Sequence, residues 1–242
     1  MMGADSQKPE AASERQPLVN AAFAPRPPAG ADLQNPSPDL LLWAYGHGVF
    51  PMGDPESGRL EWFSPDPRGI IPLHPSDAFQ IPKNLAREVR KNRFEIRTDA
   101  AFEQVMRGCA TDRGGFNRSW INETIIRTYC QLHQMGHAHS VEAWVGGALV
   151  GGLYGVQIGG AFFGESMFSR SEAGGSNSSK VCLVHLVQHL RALGFTLLDT
   201  QFWNEHLDQF GCIEIPAAEY LGMLQSAMRL PVVWGTIEPA TR

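Results

Sequence analysis

The sequence predicts an α+β fold, and three features carry that prediction. Apolar residues alternate with a period of two from Ser140 to Phe168, broken at Gly146-Gly147 and Gly159-Gly160, which is the pattern of an antiparallel meander with glycine-gated hairpins. A helical stretch carrying Val181, Leu183, Val184, Leu186, Val187 and Leu190 follows and ends at Gly194. Phe195 to Asp199 then returns to strand character. At 242 residues and 43% apolar, the chain is long enough to bury a core in one or two domains.

Met1 to about Pro36 is rich in Ala, Pro, Ser and Gln without a sustained apolar period, so residues 1–36 read as a disordered extension. Residues 37–98 are expected to form a small N-terminal domain. Ser37-Pro38-Asp39 supplies a cap and an early proline for a helix over Leu40 to Tyr45, which Gly46 and Gly48 stop. Phe50-Pro51-Met52 leads into a turn-rich loop. Leu60 to Phe63 and Gly69 to Leu73 read as short strands separated by Ser64-Pro-Asp-Pro-Arg68, whose prolines impose extended or turn geometry.

Lys83 to Arg97 carries Lys83, Arg87, Arg90, Lys91, Arg93 and Arg97 against only Glu88 and Glu95. Leu85 and Val89, at i and i+4, give it a buried side and leave the basic groups to solvent. Either a solvated charged helix or a phosphate-backbone contact satisfies that pattern.

Residues 99–242 are expected to form the second domain. Asp99 is placed to cap a helix from Ala100 to about Ala110, and Ile125, Ile126, Tyr129 and Leu132 mark another from about Asn122 to Gln134. After the meander, Ser176 or Asn177 is placed to cap the apolar helix. Asn204 to Phe210 and Pro216 to Met228 read as helices, and Pro231 to Trp234 as a last strand. The order strand, strand, strand, helix, strand, helix, strand is similar to the GNAT acyltransferase fold.

Composition excludes several classes. Four scattered cysteines with no CxxC pair suggest neither a zinc site nor a disulfide framework, which fits a reducing cytosol. No run approaches the ~18 to 20 apolar residues of a membrane span, and the expectation is a cytoplasmic protein without a membrane role. With a net charge of −5, nucleic-acid binding would need a local basic patch such as Lys83 to Arg97.

The polar residues of interest sit at strand ends, where open α/β sheets place ligands. Glu165, between Gly164 and Ser166 after an apolar strand, needs a cation or donors; it either pairs structurally with Arg170 or receives a cationic substrate group. Asp199 and Gln201, at i and i+2, face one side of a strand and serve either loop-fixing or chemistry. His185 and His189 lack the glutamate of HExxH, so zinc hydrolysis is not indicated. Ser166 and Ser169 lie outside GxSxG. Trp62, Phe63, Trp120, Phe162, Phe163, Met167, Phe168, Phe202 and Trp203 form an aromatic-rich set available for core packing or base stacking.

Several uncommon runs occur in order: Gly48-Val-Phe-Pro51, Trp62-Phe-Ser-Pro-Asp-Pro-Arg68, Ser119-Trp-Ile121, His137-Ala-His-Ser-Val-Glu-Ala-Trp144, Leu149-Val-Gly-Gly-Leu-Tyr-Gly155, Gly164-Glu-Ser-Met-Phe-Ser169, Asn177-Ser-Ser-Lys180 and Asp199-Thr-Gln201. Together they make the chain resemble the leucyl/phenylalanyl-tRNA–protein transferases. The resemblance implies transfer of leucine or phenylalanine from Leu-tRNA or Phe-tRNA to the α-amine of proteins beginning with Arg or Lys, marking them for degradation by the N-end rule pathway. It implies no metal and no organic cofactor, and a monomer is expected.

By the same resemblance, Asp199, Gln201 and Glu165 are the catalytic candidates and Asn204 supports them. Leu153, Phe162, Leu183, Leu186 and Leu198 would line the donor side-chain pocket. Trp62 and Trp120 would lie near the terminal adenosine, and Lys83, Arg87, Arg90, Lys91 and Arg93 at the tRNA phosphates. The connection from Arg170 to Lys180 is longer than usual, and Ile215 to Glu219 lacks the arginines common after that proline. Another acyltransferase on the same scaffold, or a non-catalytic tRNA-binding protein, remains open at this point.

Overall fold

A computed structural model describes residues 25–74, 79–111 and 119–235. Residues 1–24, most of the expected extension, lie outside the described residues. Residues 25–36 run beside the first strands: Gln34 exchanges two hydrogen bonds with the Leu60 backbone, each 3.0 Å, and Trp62 Nε1 donates to Leu33 O at 3.1 Å.

Helix α1 (Pro38–Gly46) starts as its sequence dictates, with Ser37 Oγ accepting from Leu40 N at 3.2 Å and proline in the first turn. Strands β1 (Phe50–Gly53) and β2 (Leu60–Phe63) form a separate antiparallel ribbon. The other seven strands are β3 (Arg68–Ile71), β4 (Glu95–Thr98), β5 (Ala138–Val145), β6 (Ala148–Ile158), β7 (Ala161–Ser169), β8 (Leu197–Gln201) and β9 (Ile213–Ile215). They build one sheet in the order β4-β5-β6-β7-β8-β3-β9. Its pairs are antiparallel except for the parallel pair β7–β8. Residues 37–98 thus contribute β3 and β4 to the large sheet as well as the ribbon.

Two apolar layers flank the sheet. On one face α1, α3 (Phe102–Ala110), α4 (Glu123–Gln134) and α7 (Ala217–Met228) pack through Leu41, Met106, Ile125, Tyr129 and Leu224. On the other, α2 (Lys83–Lys91) and α5 (Ser178–Leu193) pack through Leu85, Val184, Leu186 and Leu190. Full burial of each such side chain is worth about 1.5–3 kcal/mol. The remaining helix, α6 (Glu205–Asp208), is a single turn. This mixed sheet between helical layers is the α+β architecture that the element order indicates.

Local expectations fail where a distant contact takes the group away. Asp99 does not cap α3, because its carboxylate accepts from Ser140 N at 2.8 Å and meets His139 Nδ1 at 2.8 Å. Neither Ser176 nor Asn177 caps α5 with its side chain; Ser169 Oγ, on β7, accepts from Ser179 N at 3.0 Å. Residues 231–234 are not a strand but an irregular segment whose Trp234 stacks on His139, with centroids 4.3 Å apart. Strands β1, β4 and β9 are not among the strands that the sequence pattern indicates.

Candidate active site

Strands β7 and β8 pair over only three positions, the last being Phe163 with Asp199. Beyond that point the two strands part, and the polar candidates gather where they do. Glu165 on β7 accepts from Tyr45 Oη at 2.6 Å and from Gln201 Nε2 at 3.2 Å, so the Gln201 amide bridges the gap. Tyr45 Oη also bonds Tyr129 Oη. Burial drives the Glu165 carboxyl from its ordinary 4.5 up to about 8, with the Tyr45 bond opposing, Asp199 adding and Arg68 opposing.

Asp199 is held from four directions. Arg68 grips it in a fork, Nε to Oδ1 at 2.9 Å and Nη2 to Oδ2 at 2.6 Å; Tyr220 Oη donates to Oδ2 at 2.6 Å, and Gln201 N to Oδ1 at 2.8 Å. Both partners are sealed, with side chains 1% and 0% exposed. Burial, the largest single influence, would depress the Arg68 guanidinium, but the charge and hydrogen bond of Asp199 together with Tyr220 and Glu165 outweigh it and raise it. Arg68 Nη1 donates to Gly48 O at 2.9 Å, and the guanidinium lies over the rings of Tyr220 and Phe50 at 4.6 and 4.9 Å.

Gln201 adopts φ 60°, a left-handed conformation uncommon outside glycine. The bond from its own N–H to Asp199 and the close approach of the next peptide to β3 support that conformation. A Cβ at Gly69 would lie 2.6 Å from Phe202 C and 2.7 Å from Trp203 N, so only glycine admits this crossing.

The other sequence candidates fall into three groups. Leu153, Phe162, Leu183, Leu186 and Leu198 are all buried in the cluster beneath α5, with Met167 packed against them. The tyrosines around Glu165 belong to the opposite cluster, so the sheet divides the polar set from the apolar set. Asn204 caps α6, its Oδ1 accepting from Leu207 N at 2.9 Å. Trp62 is buried and held by Leu33, whereas Trp120 is half-buried, its carbonyl accepting from Gly53 N at 2.9 Å.

Lys83, Arg87, Arg90, Lys91 and Arg93 are all exposed. Lys91 pairs with Glu88 at 2.7 Å, and Arg93 Nη2 donates to Gly174 O and Ser176 O at 3.0 and 3.2 Å, tying the basic stretch to the loop before α5. An ion pair between Glu165 and Arg170 does not form, because Arg170 Nη1 donates to Leu149 O at 3.1 Å and its guanidinium covers Phe168.

Sequence reasoning missed Arg68, Tyr45, Tyr129 and Tyr220. Arg68 left a signal, being an arginine that opens the apolar run Gly69-Ile-Ile71 and so needs a buried acid. The tyrosines left none, since their rings satisfy the helical apolar pattern and only the fold shows where the hydroxyls point.

Asp99, His133 and His139 bring three potential metal-ligand atoms within 4.8 Å of one another. Hydrogen bonds already account for that approach, His139 Nδ1 meeting Asp99 and His133 Nδ1 meeting Ala138 O at 2.8 Å. A cleft of about 850 Å³ opens at the other end of β8, lined by Ile71, Leu73, Leu197, Ile213 and Met223, and contains none of Glu165, Asp199 or Gln201. The polar candidates therefore gather at the parting of β7 and β8, not in that cleft. No helix of the described residues is long and apolar enough to cross a membrane.

Comparison with known proteins identifies the family. Residues 73–225 match the family model for leucyl/phenylalanyl-tRNA protein transferase, and residues 34–66 match the model for its N-terminal domain. The chain is 52% identical over 204 residues to a leucyl/phenylalanyl-tRNA–protein transferase of Salinibacter ruber, covering 84% of this chain and 85% of that one. Among solved structures, the C-terminal domain of a protein named as a lysylphosphatidylglycerol synthetase from Agrobacterium fabrum aligns with a TM-score of 0.36 and 15% identity. That alignment covers 81% of this chain and 59% of the other, and a similarity so low carries no argument.

Proposed function

The chain belongs to the leucyl/phenylalanyl-tRNA–protein transferase family, an enzyme family acting on aminoacyl-tRNA and protein, and from that premise we propose that it places leucine or phenylalanine on the α-amine of proteins beginning with Arg or Lys, marking them for proteolysis. The observation that supports this reading is Gln201 at the end of β8, whose side-chain amide donates to Glu165 and whose backbone N–H donates to Asp199 where β7 and β8 part.

The reaction asks little of the protein. An aminoacyl ester is already activated, and a free α-amine has a pKa of about 7.7–8.0, so an appreciable fraction is nucleophilic near neutrality. Positioning then supplies much of the rate. The amine nitrogen attacks the ester carbonyl carbon, the C–N bond forms, the C–O bond to the ribose breaks, and an amine proton ends on the ribose oxygen.

Gln201 donates its Nε2–H to Glu165, which turns its Oε1 towards an incoming amine. Asp199, already accepting from Arg68, Tyr220 and Gln201 N, acts by holding the end of β8 that carries Gln201. Of the two roles open to it, orienting and proton removal, this favours orienting. Glu165 takes part by holding the Gln201 side chain beside the acceptor's N-terminal amine. The apolar residues Leu153, Phe162, Leu183, Leu186 and Leu198 suit an uncharged donor side chain. Lys83, Arg87, Arg90, Lys91 and Arg93 meet the tRNA phosphates.

The test is transfer of labelled leucine from Leu-tRNA to peptides beginning with Arg, Lys, Asp or Glu. Label on the Arg and Lys peptides alone supports the reading; label on the acidic peptides, or on none, defeats it. Asp199→Asn and Gln201→Ala should each abolish most transfer while leaving tRNA binding intact, which a non-catalytic tRNA-binding protein would not show.

A further inference from the structure

The acceptor just proposed carries a positive side chain, and one surface beside the active site suits it. From residue 192 to residue 228 the chain has no lysine or arginine and five acids, Asp199, Glu205, Asp208, Glu214 and Glu219. Asp199 is consumed by Arg68. Glu205 and Asp208 are exposed on α6, and neither is in an ion pair with lysine or arginine among the described residues. Lys180 reaches this segment at Gln209, 3.4 Å away.

Between Gln201 and this acidic turn stands Trp203. It is 40% exposed, and it is the aromatic member of the exposed large apolar side chains among the described residues. Its ring is not loose. The indole Nε1–H donates to Asp208 Oδ1 at 3.2 Å, and the Phe202–Trp203 peptide is pinned against Gly69. A carboxylate on the indole N–H also makes the ring face more negative.

A fixed, open indole face beside two unneutralised carboxylates attracts a guanidinium or ammonium, which sits over the ring while its N–H groups reach the acids. The same carboxylates repel phosphate, which argues against the tRNA as occupant. Trp203 is two positions from Gln201, a backbone span of at most about 7 Å. An Arg or Lys side chain whose α-amine rests at Gln201 covers that distance.

We propose that Trp203, with Glu205 and Asp208, receives the cationic side chain of the acceptor protein's first residue; this rests on the transferase reading above. Steady-state transfer of leucine to an Arg-initiated peptide tests it, with KM for peptide and KM for Leu-tRNA measured separately on the full chain. Trp203→Ala should raise the peptide KM roughly 2- to 30-fold, the range of a cation–π contact, with kcat and the Leu-tRNA KM nearly unchanged. Trp203→Phe should recover part of that loss, and Glu205→Gln with Asp208→Asn should raise the peptide KM with the indole still present.

An unchanged peptide KM in both the indole and the carboxylate variants overturns the inference. So does a rise confined to the Leu-tRNA KM, which would mean that Trp203 stacks on a base. Failure of the wild-type chain to use Arg or Lys peptides would instead remove the transferase reading, and the inference with it.

Discussion

Arg68 and Asp199 face each other in a two-pronged ion pair, 2.9 and 2.6 Å, across 131 residues of sequence and out of reach of water. The pair lies directly behind the end of β8, the candidate active site, because Asp199 Oδ1 also accepts the Gln201 N–H. Disturbing one end therefore reaches both the stability of the fold and the position of the reacting groups.

Arg68→Met should cost about 3–5 kcal/mol of stability, because it leaves a buried carboxylate without its counter-charge. Urea unfolding measures this, and adding Asp199→Asn should restore part of the loss. A double variant as unstable as the sum of the singles would show that the two groups do not act as a pair.

Gly69→Ala places a Cβ 2.6 Å from backbone that cannot swing aside. Its expected cost is about 1–3 kcal/mol, the usual range for overpacking. It should also lower kcat by displacing the loop that carries Gln201, with tRNA binding retained. Wild-type kcat in the alanine variant would show that the crossing is not needed for the geometry.

Glu165 makes a pH prediction whose sign follows from its buried state. Its carboxyl titrates near 8 in the folded chain against an ordinary 4.5, so between those values the folded state holds the extra proton. That contribution to stability is fully present below about 4.5 and is lost as pH rises through about 8. Unfolding midpoints taken from pH 5 to pH 8 should fall more steeply for the wild type than for Glu165→Gln; parallel curves would refute the assignment.

Reversing the charges at Arg87, Arg90 and Lys91 should weaken tRNA binding and flatten its dependence on salt by about 2–3 in log–log slope, near 0.9 for each phosphate that is no longer neutralised. Stability should change little, since all three side chains are exposed. An unaltered salt slope would move the tRNA interface elsewhere.

Much of the fold was legible because its signals are local. The Ser37 cap, the two-residue alternation of β5 to β7 and the 16-residue apolar helix α5 each depend on neighbours a few positions apart. Asp99 misled for the complementary reason. In sequence it stands just before a helix, but its carboxylate is claimed by His139 and Ser140 from 40 and 41 residues away. Trp203 was visible only as one of several aromatics, since exposure cannot be read from its neighbours.

The sequence by itself determined the residue types of the site and the short elements that carry them, since pattern and capping act over one or two turns. Tertiary structure alone decided which groups meet. It set Arg68 against Asp199, brought Tyr45 to Glu165 from 120 residues away, inserted β3 between β8 and β9, and put the tyrosines and the leucines packed with α5 on opposite faces of the sheet. The physical reason is that a buried charge or hydroxyl takes whichever partner the packing of distant elements delivers, and no local pattern records that choice.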